Sequence, residues 1–315
     1  MALLIDGSIA PVLARRRRAW ATETARDKAT LSFIYIGLAL FAVVILFPML
    51  YVIAASFSSG TAVIDNRVWL WPVGFTLVAY KEVFDYSGFW QSYLNSVIYT
   101  VAGTVLSVSL SVMLGWPLSR STFWGRRFLS FAVLFAFLFS GGIVPLYLVV
   151  QQLGMINTRW SQILPSALSL FSVLLARSFF RFTIPEPLVE AAQIDGASDL
   201  QVLRRIVLPM SKPVLAVLAL IFAVAQWNSY FYALVFLNSQ NLYPLQMVLR
   251  EVLVLNELSP SDIANLSTQQ LQNFTTISTL IKYALIVIGS LPMLAVYPFA
   301  QRYFVKGFRL GSLKE

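Results

Sequence analysis

Six predominantly apolar stretches of this chain contain no Asp, Glu, Lys or Arg: 29–64, 86–119, 128–158, 160–176, 213–249 and 283–301. A helix needs about 20 apolar residues to cross the hydrocarbon core of a bilayer. Five of the stretches reach or nearly reach that length. The shorter 160–176 does so if Arg177 and Arg181 extend their stems to the interface. A bilayer offers no water to satisfy backbone N–H and C=O groups, so each stretch is expected to be helical. The expected spans lie near 30–56, 93–117, 128–150, 161–181, 211–238 and 279–303, which makes the chain an all-α membrane protein with six transmembrane helices. Only 12% of residues are charged and 58% are hydrophobic, with a mean hydropathy of +0.74. Soluble domains carry about a quarter charged residues.

Arg15–Arg18 ahead of an apolar run has the flavour of a signal peptide. The run from Leu31 to Ala55 is too long for a signal core, so an uncleaved first span is expected. Basic residues set the orientation. With both termini inside, eighteen of the 23 Lys and Arg fall in inside segments. Only Arg67, Lys81, Arg159, Arg250 and Lys282 remain outside, which satisfies the positive-inside rule. The same asymmetry accounts for the net charge of +9 without nucleic acid, since no basic groove with interleaved aromatics is present. On this scheme 1–28 is a basic inside tail, 29–56 the first span and 57–92 an outside segment. Residues 93–315 form the core, with an inside polar element at 184–209 and an outside loop at 239–278.

What the chain lacks narrows its chemistry. It has no Cys and no His, which argues against thiol chemistry, imidazole proton shuttling and a metal centre. No Gly precedes a Lys, so it carries no phosphate-binding P-loop. The proposed spans hold no acidic residue, whereas ion-coupled carriers usually bury one. A gradient-driven carrier or channel would explain six spans, but not this absence. An enzyme is not expected either.

Some polar features stand out against the apolar background. Trp69, Trp71, Tyr80, Tyr86, Trp90 and Tyr93 suit an interfacial belt, and "FTLVAYKEVFD" reads as a short surface helix. Gly103, Ser107, Ser111 and Gly115 form a row of small residues along one helix face, read as packing inside the subunit. "SGGIVP" predicts a kink or break at Gly141, Gly142 and Pro145. In "AQWNSYFYALVFL", Gln226 and Asn228 fall inside an expected span, and Gln226, Ser229 and Tyr230 share a face by i, i+3 and i, i+4 spacing. Two readings stand: Gln226, Trp227, Asn228 and Tyr230 along a solute path, or interhelical hydrogen bonding with Trp227 and Tyr230 as anchors. The 239–278 loop is rich in amides and hydroxyls, including Gln269, Gln270, Gln272 and Asn273, and reads as a contact loop or a connector.

The inside element has the clearest local grammar. "IPEPLVEAAQI" starts at prolines and ends at Asp195–Gly196, where glycine can close a helix in the left-handed conformation. Ser198 with Gln201 forms a capping box for a second helix, "DLQVLRRIVL", expected to stop before Pro209. Glu186, Glu190, Asp195 and Asp199 stand against Arg204 and Arg205. An element neither inserted nor loose is suited to touching a soluble partner.

At these residues the sequence resembles a family. Glu190, Ala191, Ala192, Gly196, Ile206, Leu208 and Pro209 match the EAA-loop pattern of permease subunits in binding-protein-dependent ABC importers. "YLNSVIYTVAGT", "GGIVPLYLV", "WNSYFYALVFL" and "YFVKGFRLGSLK" extend the resemblance over nearly the whole chain after the tail, to the maltose-permease-like sugar branch. Its polysaccharide-fragment members, including the second permease subunit of an alginate importer, look closest. The resemblance implies a type I importer permease fold in a bacterial inner membrane, importing an oligosaccharide or polysaccharide fragment. It implies a heterodimer with a homologous permease, two ATP-binding cassette subunits that hold ATP and Mg, and a solute-binding protein that delivers the carbohydrate. No cofactor is implied for this chain. Glu190, Ala191, Ala192, Asp195, Gly196, Leu203, Ile206 and Pro209 would form the ATPase-docking loop, and Gln269, Gln270, Gln272 and Asn273 would meet the binding protein.

Overall fold

Every regular element among the described residues is helical, as the unbroken apolar runs require. The computed structural model describes residues 25–139, 141–252 and 268–311. The expected tail, apart from its last residues, and the middle of the 239–278 loop lie outside them.

The first of two units ends at Phe75. Its main element, α1 (Ala25–Ser56), presents apolar side chains all round, with Phe33, Ile36, Leu40 and Val43 exposed. A helix of this kind belongs in hydrocarbon or against another apolar surface. Past its end, the Ser58 hydroxyl donates to the Ala54 carbonyl and accepts from the Val73 amide. Ser59 and Val73 share a backbone bond, Phe57 stacks on Phe75, and the short helix α2 (Gly60–Ile64) lies within the loop so closed.

The second unit begins with α3 (Val78–Asp85), at the expected surface helix, and continues into α4 (Phe89–Ser119). The small-residue row of α4 is buried, and its function is internal packing. A Cβ at Gly115 would stand 2.8 Å from the Ala176 Cβ, so glycine lets the neighbouring helix α8 (Leu170–Thr183) approach closely.

Three described helices are long and apolar enough to cross a bilayer unbroken: Asp27–Ser56, Phe89–Ser119 and Thr275–Pro298. Three bent pairs accompany them, Arg126–Leu138 with Ile143–Gln152, Arg159–Ser166 with Leu170–Thr183 and Asp199–Met210 with Lys212–Trp227, and by length and composition the described residues hold up to six spans if each pair counts as one. The stretch 128–150 divides into α5 (Arg126–Leu138) and α6 (Ile143–Gln152), with Gly142 at φ +75° between them. The stretch 161–181 divides into α7 (Arg159–Ile163), which tightens into a 3₁₀ turn at Leu164–Ser166, and α8, with a 52° bend. Ser169 caps α8.

The expected span 211–238 is also interrupted. Helix α11 (Lys212–Trp227) ends at Asn228, and the chain resumes as α12 (Phe231–Phe236). The shared face inferred for Gln226, Ser229 and Tyr230 from helical spacing therefore does not exist. The Asn228 amide side chain bonds the Val224 carbonyl, giving the helix end a local alternative to another turn.

The first part of the expected outside loop is stitched to α4. Asn95 donates to the carbonyls of Asn241 and Tyr243, Tyr99 donates to that of Leu242, and the Leu245 amide donates to Ser96 Oγ. Helix α13 (Leu245–Arg250) buries Leu245, Met247 and Val248. The last helix, α14 (Thr268–Gly311), starts at Thr268 rather than near 279. The charge-free window marked only its apolar portion, and the helix continues through polar residues that need no hydrocarbon.

Candidate functional site

The polar element at 184–209 is an elbow of two helices. Helix α9 (Glu186–Ile194) closes through Asp195 and Gly196; Gly196 has φ +83°, and Ala197 N–H returns to the Ala192 carbonyl. This is the left-handed helix stop expected at a glycine. The second arm, α10 (Asp199–Val202), opens with a complete capping box: Ser198 N–H donates to Gln201 Oε1 and Gln201 N–H to Ser198 Oγ. Gln193 bridges the arms by donating to Asp199.

The second arm does not stop before Pro209. It widens into a π turn at Leu203–Val207 and runs on as Leu208–Met210. Proline cannot donate to the carbonyl four residues back and its ring crowds it; a widened turn relieves both problems. The arm meets α11 at 82°.

One side of the elbow is anchored. Val189, Val202 and Val207 share an apolar core with Val112 and Trp116 of α4, Ala176 and Phe180 of α8, and Val214 and Leu218 of α11. Ala192, Leu203 and Ile206 are partly buried against it. Ser121, between α4 and α5, donates to Glu186. The other side is open: Glu190, Ala191, Asp195, Gly196 and Pro209 are exposed. So are large apolar side chains, Ile194 at 86% and Leu200 at 73% exposure above all, with Leu188 less so. Of the eight residues singled out in the sequence, five thus face outward and three brace the element from within. Ile194 and Leu200 were not among the eight, although their place beside the glycine stop and the capping box was a readable signal.

The residues at 226–230 divide in the same way. Gln226 is buried and donates to Ser166 Oγ; Trp227 is buried, its indole N–H bonded to the Gly289 carbonyl at 2.8 Å, and it packs edge-on to Tyr93. Nearby Gln162, fully buried, donates to Ser229. Asn228 and Tyr230 are exposed and line an open cleft of about 430 Å³ with Gln246, Leu249, Arg250, Ile286, Gly289 and Ser290. The interior pair and the cleft pair are separate environments. Glu251, beside the cleft wall, lies close enough to Tyr86 to act on it: burial first, and that carboxylate second, raise the phenol's pKa. Gln269 is exposed in the first turn of α14; the side chains of Gln270, Gln272 and Asn273 lie outside the described residues.

Over 85% of its length the chain is 42% identical to the protein LplC of Bacillus subtilis, covering 88% of that protein. It is 39% identical, over 89% of its length and 96% of the relative's, to the polygalacturonan/rhamnogalacturonan transport system permease protein YtcP of the same organism. The chain belongs to the family of ABC-transporter sugar permeases. In a solved bacterial ABC transporter involved in import of the acidic polysaccharide alginate, one chain matches this permease with a TM-score of 0.80 and 34% identity, over 90% of this chain and 99% of that one. No protein-family model matches this permease. Its elbow and its bent helices therefore belong to a membrane protein of sugar transport. The likeness also supports the type I importer fold expected from the EAA pattern.

Proposed function

We propose that this permease, with a homologous permease as its partner, moves an oligosaccharide or polysaccharide fragment inward across a bacterial inner membrane, alginate being one candidate. Two ATP-binding cassette subunits supply the ATP and Mg chemistry, and a solute-binding protein delivers the sugar from outside. The elbow faces the cytoplasm, as do both termini, and its exposed side docks on an ATPase subunit. The observation that carries this reading is the two-sidedness of the elbow. Val189, Val202 and Val207 are locked into one core with three helices, while Glu190, Ile194 and Leu200 are left in the open. A polar element with an anchored side and a partly apolar free side can receive a force and pass it on.

The relatives support the sugar class: one is named for polygalacturonan and rhamnogalacturonan, and the solved transporter imports alginate. Co-expression of the chain with its neighbouring permease, ATPase and binding-protein genes, followed by reconstitution into liposomes, tests the proposal. Labelled oligosaccharide should enter only with hydrolysable ATP on the ATPase side and binding protein on the other. Uptake driven by an ion gradient without ATP would overturn it.

A further inference from the structure

The cleft beside the broken end of α11 has a composition unlike its surroundings. Its walls are Asn228 and Tyr230 from the break, Gln246 and Arg250 from α13, and Ile286, Gly289 and Ser290 from the middle third of the apolar span Thr275–Pro298. Two facts make this more than a surface dent. Non-helical backbone at membrane depth persists only where it is buried in protein or borders water, and here the helix is interrupted at the cleft itself. Arg250, which lies on α13 outside the expected spans, lines the cleft beside residues of an apolar span, and a guanidinium held against such a surface calls for water or a polar ligand there.

The charge of the lining is one-sided. It contains no Asp or Glu, and among the described residues Arg250 forms no ion pair. Lys282 stands one helical turn before Ile286, on the same face of α14. The other polar lining groups are two amides, a hydroxyl and a phenol, set beside Leu249, Ile286 and Gly289, a mixture that suits the hydroxyls and apolar ring face of a sugar. The guanidinium adds a planar pair of donors that matches a carboxylate.

We propose that Arg250 is the carboxylate-reading residue of an anionic-sugar subsite in this cleft, with Asn228, Tyr230, Gln246 and Ser290 contacting sugar hydroxyls. The substrate class is then a uronic-acid oligosaccharide. This rests on the sugar-import reading above and narrows it.

The test is uptake by the complete reconstituted transporter, with the same binding protein throughout. The probes are trigalacturonate, an alginate trisaccharide and fully methyl-esterified trigalacturonate, whose carboxylates are masked. Arg250→Gln should lower uptake of the acidic probes at least tenfold and reduce the ratio of acid to ester uptake. Arg250→Lys should recover a substantial part of the loss, because it restores the charge without the fork. Equal losses for Gln and Lys, an unchanged acid-to-ester ratio, or unchanged acid uptake would overturn the subsite. A wild-type transporter that carries only neutral oligosaccharides would overturn the uronate assignment while leaving sugar import standing. ATP-independent uptake would remove both.

Discussion

Gly103 and Gln226 occupy complementary space: a Cβ at position 103 would stand 2.5 Å from Gln226 Nε2 and 2.6 Å from its Cδ. The missing side chain of α4 is the room that the buried amide of α11 fills, and from there the amide reaches Ser166 on the turn after α7. One atom's absence thus sets the spacing of three elements.

Gly103→Ala should therefore displace Gln226 and break its bond to Ser166. An unmet buried donor costs about 1–3 kcal/mol. The expected result is a lower thermal midpoint for the detergent-purified complex, with the double variant Gly103→Ala/Gln226→Ala less destabilised than the sum of its parts. Simple additivity in that cycle would show the two positions to be independent.

Gly196 has open space around it but a φ of +83°, so a side chain there is strained by the backbone and not by neighbours. The cost, roughly 1–2 kcal/mol, is too small to unfold a packed membrane domain. Gly196→Val is expected to insert and assemble while losing most of the ATPase stimulation caused by loaded binding protein. Glu190→Ala should show a milder loss, since it removes an exposed contact without re-aiming the backbone. Full stimulation in Gly196→Val would reduce the elbow to a turn.

The capping box makes a local prediction. Replacing Ser198 with Ala removes the acceptor for the Gln201 amide, a change of about 0.5–2 kcal/mol at a helix N-terminus. Arg204 and Arg205 are exposed in the wide turn just beyond. Trypsin should nick the Ser198→Ala protein there several-fold faster than the parent, at unchanged overall melting. Equal cleavage rates would mean that the anchored core alone holds the arm.

A fourth experiment concerns the start of α14. The chain has no cysteine, so a single Gln269→Cys is a clean reporter at an exposed position. Cross-linking to the binding protein is expected when ATP hydrolysis is blocked, and much less in the resting transporter. State-independent cross-linking, or none, would take the binding protein away from this helix end.

Much of this architecture was legible before any coordinates. The charge-free windows marked the apolar helices because a bilayer leaves the backbone no other partner, and the spacing of Gly103, Ser107, Ser111 and Gly115 marked the packing face of α4. The glycine stop and the capping box of the elbow were readable to the residue, since Gly196 and the Ser198–Gln201 pair are local devices whose physics is complete within a few positions. What escaped was decided by distant partners. Nothing near Asn95, Ser96 or Tyr99 announces that they hold residues 241–245, and nothing near Gln226 announces Ser166. The break at Asn228 is hidden because a stretch without charges reads as one span whether or not it bends, and Pro209 reads as a stop because the π turn that accommodates it has no sequence signature.

Helix α11 joins the elbow to the cleft. Its first turns share the elbow's core through Val214 and Leu218, and its last residue adjoins the break at Asn228 that lines the cleft. Sixteen residues of helix make a stiff rod of about 24 Å. Pivoted at the anchored end by roughly 10°, such a rod swings its far tip by about 4 Å, close to the width of a sugar ring. A docking partner that tilts the elbow would in that way open or shut a sugar-sized aperture it never touches.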